Sequence, residues 1–459
     1  MWRHWTLIGA RLDLLLPRLV ANPYVWLVRV NPEALAFPSL ESGSIGTGTV
    51  SDAARGTIPR GRARFAARRY RMRVAIVNKF AHLTGGADQH CLGLAAALAE
   101  RGHEVEFLST QDERNADLEG VFIPCTVTHG SRNVMNAGSQ AMVFAKALWN
   151  RDAASGMRRL LQRFRPDVVH AHKLYPQLSV APVVVAARRG VPVVQTLHDF
   201  EMISASATDA RGGVWDSDET RLRFKLLNAT TRPVHRRIHA PRVAEFVAVS
   251  RFVARVHAAH GIDATVLPNF VGTLDGAASE QLAFDERRGI VFLGRLRPEK
   301  GVLDVVAMAR LVPEIPVTII GTGDLEETVR DEARAIPNLH VAGFVSDPVL
   351  GGLLRSARVV VIPSRCQDAG PLVPLEAMAK STPIVAYAMG GLGEYVSDTH
   401  GGLVVPVDVE ALAASAAELH DDRETWERHS RAGFSAVAAH HTAQAYVARL
   451  EQVYERAAA

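Results

Sequence analysis

The chain has 459 residues, 48% of them apolar, which is enough for two full cores and too much for one. Its three cysteines, Cys91, Cys125 and Cys366, form no Cys-x-x-Cys pair and have no histidine at zinc-ligand spacing, which excludes a disulfide framework and a structural zinc module and points to a reducing cytosol. The formal net charge is +4, but residues 1–71 hold eleven arginines against four acids, leaving the rest of the chain at −3, so charge gives no support to nucleic-acid binding by the main body.

Residues 1–71 differ in composition from the rest of the chain. The apolar runs Trp5 to Leu16 and Tyr24 to Val30 are broken by Arg11, Asp13 and Arg29, so neither reaches the roughly 20 residues that span a bilayer. No small-residue cleavage site follows an unbroken apolar core, so no secretory leader is indicated. A Gly/Ser/Thr-rich stretch, 42–57, leads into Arg60, Arg62, Arg64, Arg68, Arg69 and Arg71. The expectation is a disordered basic extension or a mis-assigned start ahead of Met72. The alternative is a basic, partly amphipathic arm that rests on an anionic membrane.

From Arg73 the pattern becomes regular. Val74 to Val77 is a short apolar run, followed by a Gly-bearing loop, a helical stretch from Ala87 to Glu100, the helix-ending Gly102, and a second run at Glu104 to Leu108. Further runs at Val168 to His170, Val193 to Thr196 and Phe246 to Val249 predict a parallel, doubly wound sheet over residues 72–266. The alternation restarts after Leu267-Pro268-Asn269, with runs at 290–293, 317–320, 339–341, 359–362, 383–386 and 403–405, and predicts a second open α/β sheet over 267–440. The predicted fold is therefore two Rossmann-like doubly wound domains facing each other across a cleft. A last helical segment, 441–459, lies beyond the final strand and is placed back against the first domain.

In open parallel sheets ligands collect beyond the carboxyl ends of the strands, and four such loops carry unusual chemistry. Thr84-Gly85-Gly86-Ala87-Asp88 is either a tight turn or a place where backbone approaches an anion at a helix start. Gly294 to Gly301 carries Arg295 and Lys300, a guanidinium fork and a point charge able to converge on one diphosphate. In Pro363 to Lys380, Pro371 and Pro374 suit the start of a helix, which puts Asp368 in the loop and Glu376 within about one turn of the helix start. The amides of Leu372 and Val373 then face phosphate or sugar oxygens, and Glu376 is able to hold a ribose diol. Thr196-Leu197-His198-Asp199 places an imidazole at a strand end, with Asp199 as its orienter. His170 and His172 end the preceding strand and read as satisfied structural histidines.

The stretch Asp368-Ala-Gly-Pro-Leu-Val-Pro-Leu-Glu376-Ala-Met-Ala-Lys-Ser-Thr-Pro-Ile-Val-Ala386 resembles the signature of glycosyltransferase family 4, retaining enzymes of the GT-B fold. Further matches come in order: Gly85-Gly86-Ala-Asp88, His198-Asp199, Pro268-Asn269, Gly294-Arg-Leu with Lys300-Gly301, Gly321-x-Gly323, and Gly390-Gly391-x-x-Glu394. The likeness spans 72–459. It implies an acceptor-side first domain and a donor-nucleotide second domain, with Arg295 and Lys300 on the donor diphosphate and Glu376 on the ribose. Asp368 would meet the transferred sugar and the amides of Leu372 and Val373 the sugar and phosphate, while His198 lies beside the reacting sugar and Gly85-Gly86 close over the cleft. Two departures stand out: Asp368 replaces the usual Glu, and Ser381 replaces the usual Gly.

The resemblance implies transfer of a hexose from a nucleoside diphosphate sugar to a hydroxyl acceptor, with no resident cofactor or metal, in polysaccharide, glycolipid or glycoconjugate synthesis. The Asp216-Ser217-Asp218 triplet is similar to a divalent-ion motif but sits in a polar loop with no adjoining buried strand, so no metal is expected there. The acceptor is expected to be lipid-linked if the basic segment 200–245, with Arg221, Arg223, Lys225, Arg232, Arg236 and Arg237, faces an anionic lipid; a solvated basic helix is the other reading. The expected location is the cytoplasm, with peripheral contact at the inner face of the plasma membrane. Two rival readings stay open, a nucleotide-sugar epimerase of the same architecture and a degenerate nucleotide-sugar-binding protein.

Overall fold

The computed structural model describes residues 71–125, 145–204, 230–272 and 281–459. The expectations placed on residues 1–70, on Asp216-Ser217-Asp218 and on Arg221, Arg223 and Lys225 lie outside these described residues.

The first sheet has seven parallel strands: β1 (Arg73–Val77), β2 (Glu104–Thr110), β3 (Gly120–Ile123), β4 (Val168–Ala171), β5 (Val193–Leu197), β6 (Glu245–Ala248) and β7 (Thr265–Val266). Their order is β3-β2-β1-β4-β5-β6-β7, so the winding reverses between β1 and β4. Val74, Ala75, Ile76 and Val77 are all fully buried because helices cover both faces, which is why the strand reads as an unbroken apolar run. Helix α1 (Gly86–Glu100) packs on one face, α2 (Arg151–Arg163) and α3 (Ala181–Arg188) on the other.

Helix α4 (Arg251–Ala258) connects β6 to β7, after which the chain passes to the second domain. There the sheet has six parallel strands: β8 (Arg288–Leu293), β9 (Val317–Ile320), β10 (Leu339–Gly343), β11 (Ala357–Ile362), β12 (Ile384–Tyr387) and β13 (Gly402–Val405). The order β10-β9-β8-β11-β12-β13 reverses between β8 and β11. Its helices are α5 (Val302–Leu311), α6 (Glu326–Ala333), α7 (Asp347–Ser356), α8 (Val373–Ala379), α9 (Gly390–Thr399), α10 (Val409–Asp421) and α11 (Arg423–His440). The two sheets form the GT-B architecture. Among the described residues no helix is long and apolar enough to cross a membrane.

The last helix, α12 (Ala443–Ala458), leaves the second domain and lies against α1 and the first sheet. Tyr446, Leu450, Val453 and Tyr454 recur at helical spacing, and all four join the core formed with Val74, Ile76 and Leu94. Two chain crossings thus join the domains, and they are tied to each other. The Val271 amide donates to the His441 carbonyl at 2.9 Å, and His441 Nδ1 lies 2.9 Å from the Asn269 carbonyl. Asn269 also donates through Nδ2 to the Gly370 carbonyl at 2.6 Å and through its amide to the Tyr395 hydroxyl at 2.7 Å, which gives the Pro268-Asn269 pair a fixed seat at the junction.

Candidate active site

Both sheets present their reversal points to the same cleft, and the four loops singled out from the sequence leave strands at or beside those points. After β8, buried Leu296 anchors the loop through its amide on the Thr322 carbonyl at 2.9 Å, which leaves its neighbour Arg295 exposed and without a side-chain partner among the described residues. Gly301 takes φ +70°, and a Cβ there would stand 1.8 Å from the Pro363 carbonyl, so only glycine lets this loop press against the loop after β11. That contact puts Lys300 Nζ 2.5 Å from Asp368 Oδ1.

Lys300 and Asp368 are mostly buried and hold each other charged. Burial pulls the Lys300 ammonium down, and the Asp368 carboxylate outweighs it, leaving the lysine above its ordinary value. Burial pushes Asp368 up, and the charge and hydrogen bond of Lys300 hold it below the usual carboxylate range. Asp368 Oδ2 is buried with no hydrogen-bond partner among the described residues, an unfilled acceptor beside a cation. The loop is braced from behind, where Arg365 makes a bidentate pair with Asp304 at 2.8 and 2.9 Å and the Tyr387 hydroxyl donates to Asp304 at 2.9 Å. The amide of Gly391 donates to the Asp368 carbonyl at 2.7 Å, and a Cβ on Gly391 would meet the Ala369 carbonyl at 2.1 Å. The second glycine of the Gly390-Gly391 motif therefore serves close backbone packing against this loop.

Pro374 is the second residue of α8, Leu372 its N-cap, and Glu376 stands on the helix face away from buried Leu375, Ala377 and Met378. Glu376 Oε1 accepts from Gln89 Nε2 of the opposite domain at 2.8 Å. Gly86 also faces Leu372, since a Cβ there would lie 3.6 Å from Leu372 Cδ1. In the first domain Asp88 is buried and accepts from Asn78 Nδ2 at 2.9 Å and from the Thr84 hydroxyl, so this acid fixes the Gly85-Gly86 loop. Ser381, at the family's glycine position, holds φ +58° with a buried hydroxyl that has no partner among the described residues.

His198 sits beside His172, with His198 Nε2 2.9 Å from His172 Nδ1. The expectation that Asp199 orients His198 is corrected. Asp199 pairs with Lys173 at 2.6 Å and accepts from the Glu201 amide at 2.9 Å, so its carboxylate is engaged by the segment leaving β4 and by its own loop instead of by His198. His172 is likewise not the satisfied structural residue expected, because its Nε2 has no partner among the described residues. His170 is satisfied, with Tyr454 at 2.7 Å and Thr196 at 2.8 Å. Burial keeps the rings neutral, pushing His90 down to about 3 and holding His172 and His198 well below the ordinary histidine range.

Sequence reasoning missed His90, Gln89, Lys79, Lys173 and Glu201. Gln89 and His90 directly follow the Gly-Gly-Ala-Asp loop on α1, and that adjacency was the available signal. The imidazoles of His90, His172 and His198 are the described histidine, cysteine and acidic side chains grouped closely enough to hold a metal ion.

The sequence profile described as Glycosyltransferase Family 4 matches residues 84–273, and that described as Glycosyl transferases group 1 matches residues 277–435. A glycogen synthase of Mycobacterium tuberculosis is 29% identical over 399 residues, covering 81% of this chain and 91% of its own. A phosphatidyl-myo-inositol mannosyltransferase of Mycolicibacterium smegmatis is 28% identical over 382 residues, covering 80% of this chain and 88% of its own. The crystal structure of Anabaena Alr3699/HepE in complex with UDP and glucose superposes with a TM-score of 0.57 at 16% identity, covering 84% of this chain and 99% of that one. With the signature residues gathered around one cleft and both halves matched in order, the chain belongs to glycosyltransferase family 4.

Proposed function

We propose that the protein moves a hexose from a nucleoside diphosphate sugar to a hydroxyl acceptor, with retention at the anomeric carbon and without a metal at the diphosphate. The observation that carries this reading is the convergence of Arg295, Lys300, Asp368 and Glu376 where the second sheet reverses. A Rossmann-like sheet collects nucleotides at that point. An incoming diphosphate competes with Asp368 for the Lys300 ammonium, and Arg295, exposed and unpaired among the described residues, adds a guanidinium. The pair supplies the positive charge that a dication provides elsewhere. Asp368, with its second oxygen unfilled, accepts from a hydroxyl of the transferred sugar, and Glu376 exchanges Gln89 for the ribose diol.

The bond between the anomeric carbon and the β-phosphate oxygen breaks, and its electron pair stays on the diphosphate. Arg295 and Lys300 meet the charge that develops there and so stabilise the transition state more than the ground state. The acceptor oxygen attacks from the same face, and its proton passes to the leaving phosphate oxygen. Neutral, half-buried His198 is too weak a base to take that proton, and acts by hydrogen-bonding a sugar hydroxyl.

The curated relatives support a glycan or glycolipid acceptor. Exposed Arg232, Arg236 and Arg237, with Ile238 39% exposed beside them, suit peripheral contact with an anionic lipid surface. A thermal-shift panel of nucleotide sugars tests the central reading. A true donor at 100 times its Kd stabilises by roughly 2.7 kcal/mol, and Glu376→Ala removes the effect. The reading fails if no nucleotide sugar stabilises the wild type, or if an epimer forms in the absence of acceptor.

A further inference from the structure

His90, His172 and His198 come from three separate places: near the start of α1, and the segments leaving β4 and β5. One ring nitrogen of each lies within 4.8 Å of the other two. The ring centroids stand 4.9 Å apart for His90 and His198, 5.9 Å for His90 and His172, and 5.2 Å for His172 and His198. His90 is 2% exposed and His172 is 1% exposed, yet both nitrogens of His90 and Nε2 of His172 have no partner among the described residues.

A buried polar atom left unpaired costs about 1–3 kcal/mol. Unpaired nitrogens on two adjoining buried rings point to a ligand that takes one from each. A metal ion takes one lone pair from each of several neutral imidazoles, which an anion cannot do. Tetrahedral coordination with metal–nitrogen bonds of about 2.0–2.1 Å sets neighbouring nitrogens about 3.4 Å apart. One nitrogen from each ring lies within 4.8 Å of the other two, so rotation of the rings brings them to that spacing.

We propose that His90, His172 and His198 bind a transition-metal dication of the zinc and cobalt class, with the fourth position open to the cleft beside half-buried His198. Hard, oxygen-seeking ions such as magnesium do not suit three imidazoles. The site is separate from the diphosphate residues and is inhibitory, since an ion held there takes His198 away from the sugar. The inhibitory half rests on the sugar-binding role of His198; the binding half does not.

The test uses tag-free full-length protein, stripped with a chelator and titrated with Co²⁺. The expected result is one equivalent of visible absorption characteristic of tetrahedral Co²⁺, displaced by Zn²⁺ and untouched by Mg²⁺. His90→Leu and His90→Gln, each confirmed folded by thermal melting, weaken binding by at least about 100-fold, beyond the usual effect of losing a supporting residue. Both variants keep sugar transfer and lose its inhibition by Zn²⁺. No stoichiometric spectrum with wild type, or unchanged binding in both variants, overturns the site. Binding with undiminished transfer overturns the inhibitory role alone. The nucleotide-sugar thermal shift, which needs no metal, judges the glycosyltransferase reading separately.

Discussion

Replacing Lys300 by Met keeps the aliphatic stem and removes one charge of the pair with Asp368. At 2.5 Å and an effective dielectric of about 20, the gross attraction is about 6–7 kcal/mol. Desolvation of the two ions costs several kcal/mol each, so the intact pair adds little net stability. A lone Asp368 carboxylate has no such offset. Lys300→Met should therefore destabilise by about 3–5 kcal/mol, and Asp368→Asn by a similar amount. At about 2–4 °C per kcal/mol for a domain of this size, the second domain's melting transition falls by about 6–20 °C. The double variant Lys300→Met/Asp368→Asn buries no charge and should melt within a few degrees of wild type, while all three variants lose turnover because the diphosphate or the sugar has lost its charged partner. Scanning calorimetry with the two domain transitions resolved, alongside single-turnover assays, gives both readouts. A double variant whose loss equals the sum of the singles refutes the buried-pair reasoning. Unchanged turnover in Lys300→Met refutes the diphosphate assignment.

Ser381→Gly relieves a left-handed residue with an unpartnered buried hydroxyl and should raise stability by about 1 kcal/mol, read from the urea midpoint; a loss would mean that the hydroxyl is bonded. Gln89→Ala removes a hydrogen bond that competes for Glu376, so nucleotide-sugar affinity by calorimetry should rise about 2- to 10-fold, whereas weaker binding would place Gln89 on the donor. Burial and the Asp199 charge raise Glu201 above the ordinary glutamate range, so its contribution is full below that range and is lost as pH rises through the folded value. Stability of wild type relative to Glu201→Gln should fall between about pH 4 and about pH 8, and a flat difference would contradict the raised value.

Strands buried on both faces, such as Val74 to Val77 and Val359 to Ile362, are legible because burial selects unbroken apolar runs. β3 is not, being four residues at a sheet edge with three of them only half-buried, and β7 has two residues. Arg295, Lys300, Asp368 and Glu376 are readable because each lies just beyond a strand or at a helix start. Their partners are not. The Lys300–Asp368 contact joins positions 68 apart and Gln89–Glu376 positions 287 apart, and no local pattern records such meetings. Ser381 shows the reverse case, where the missing glycine is visible in the sequence and its backbone consequence only in the fold.

The return of α12 to the first sheet bears on how the chain is made. Tyr446, Leu450 and Tyr454 complete the apolar face over Ile76 and Leu94, so the first domain synthesised is the last to be finished. Until α12 has left the ribosome, that face stays open to water, to chaperones and to other nascent chains. A stop codon or bulky fusion near position 450, far along the chain from Arg295, Lys300, Asp368 and Glu376, would therefore strike first at the first domain.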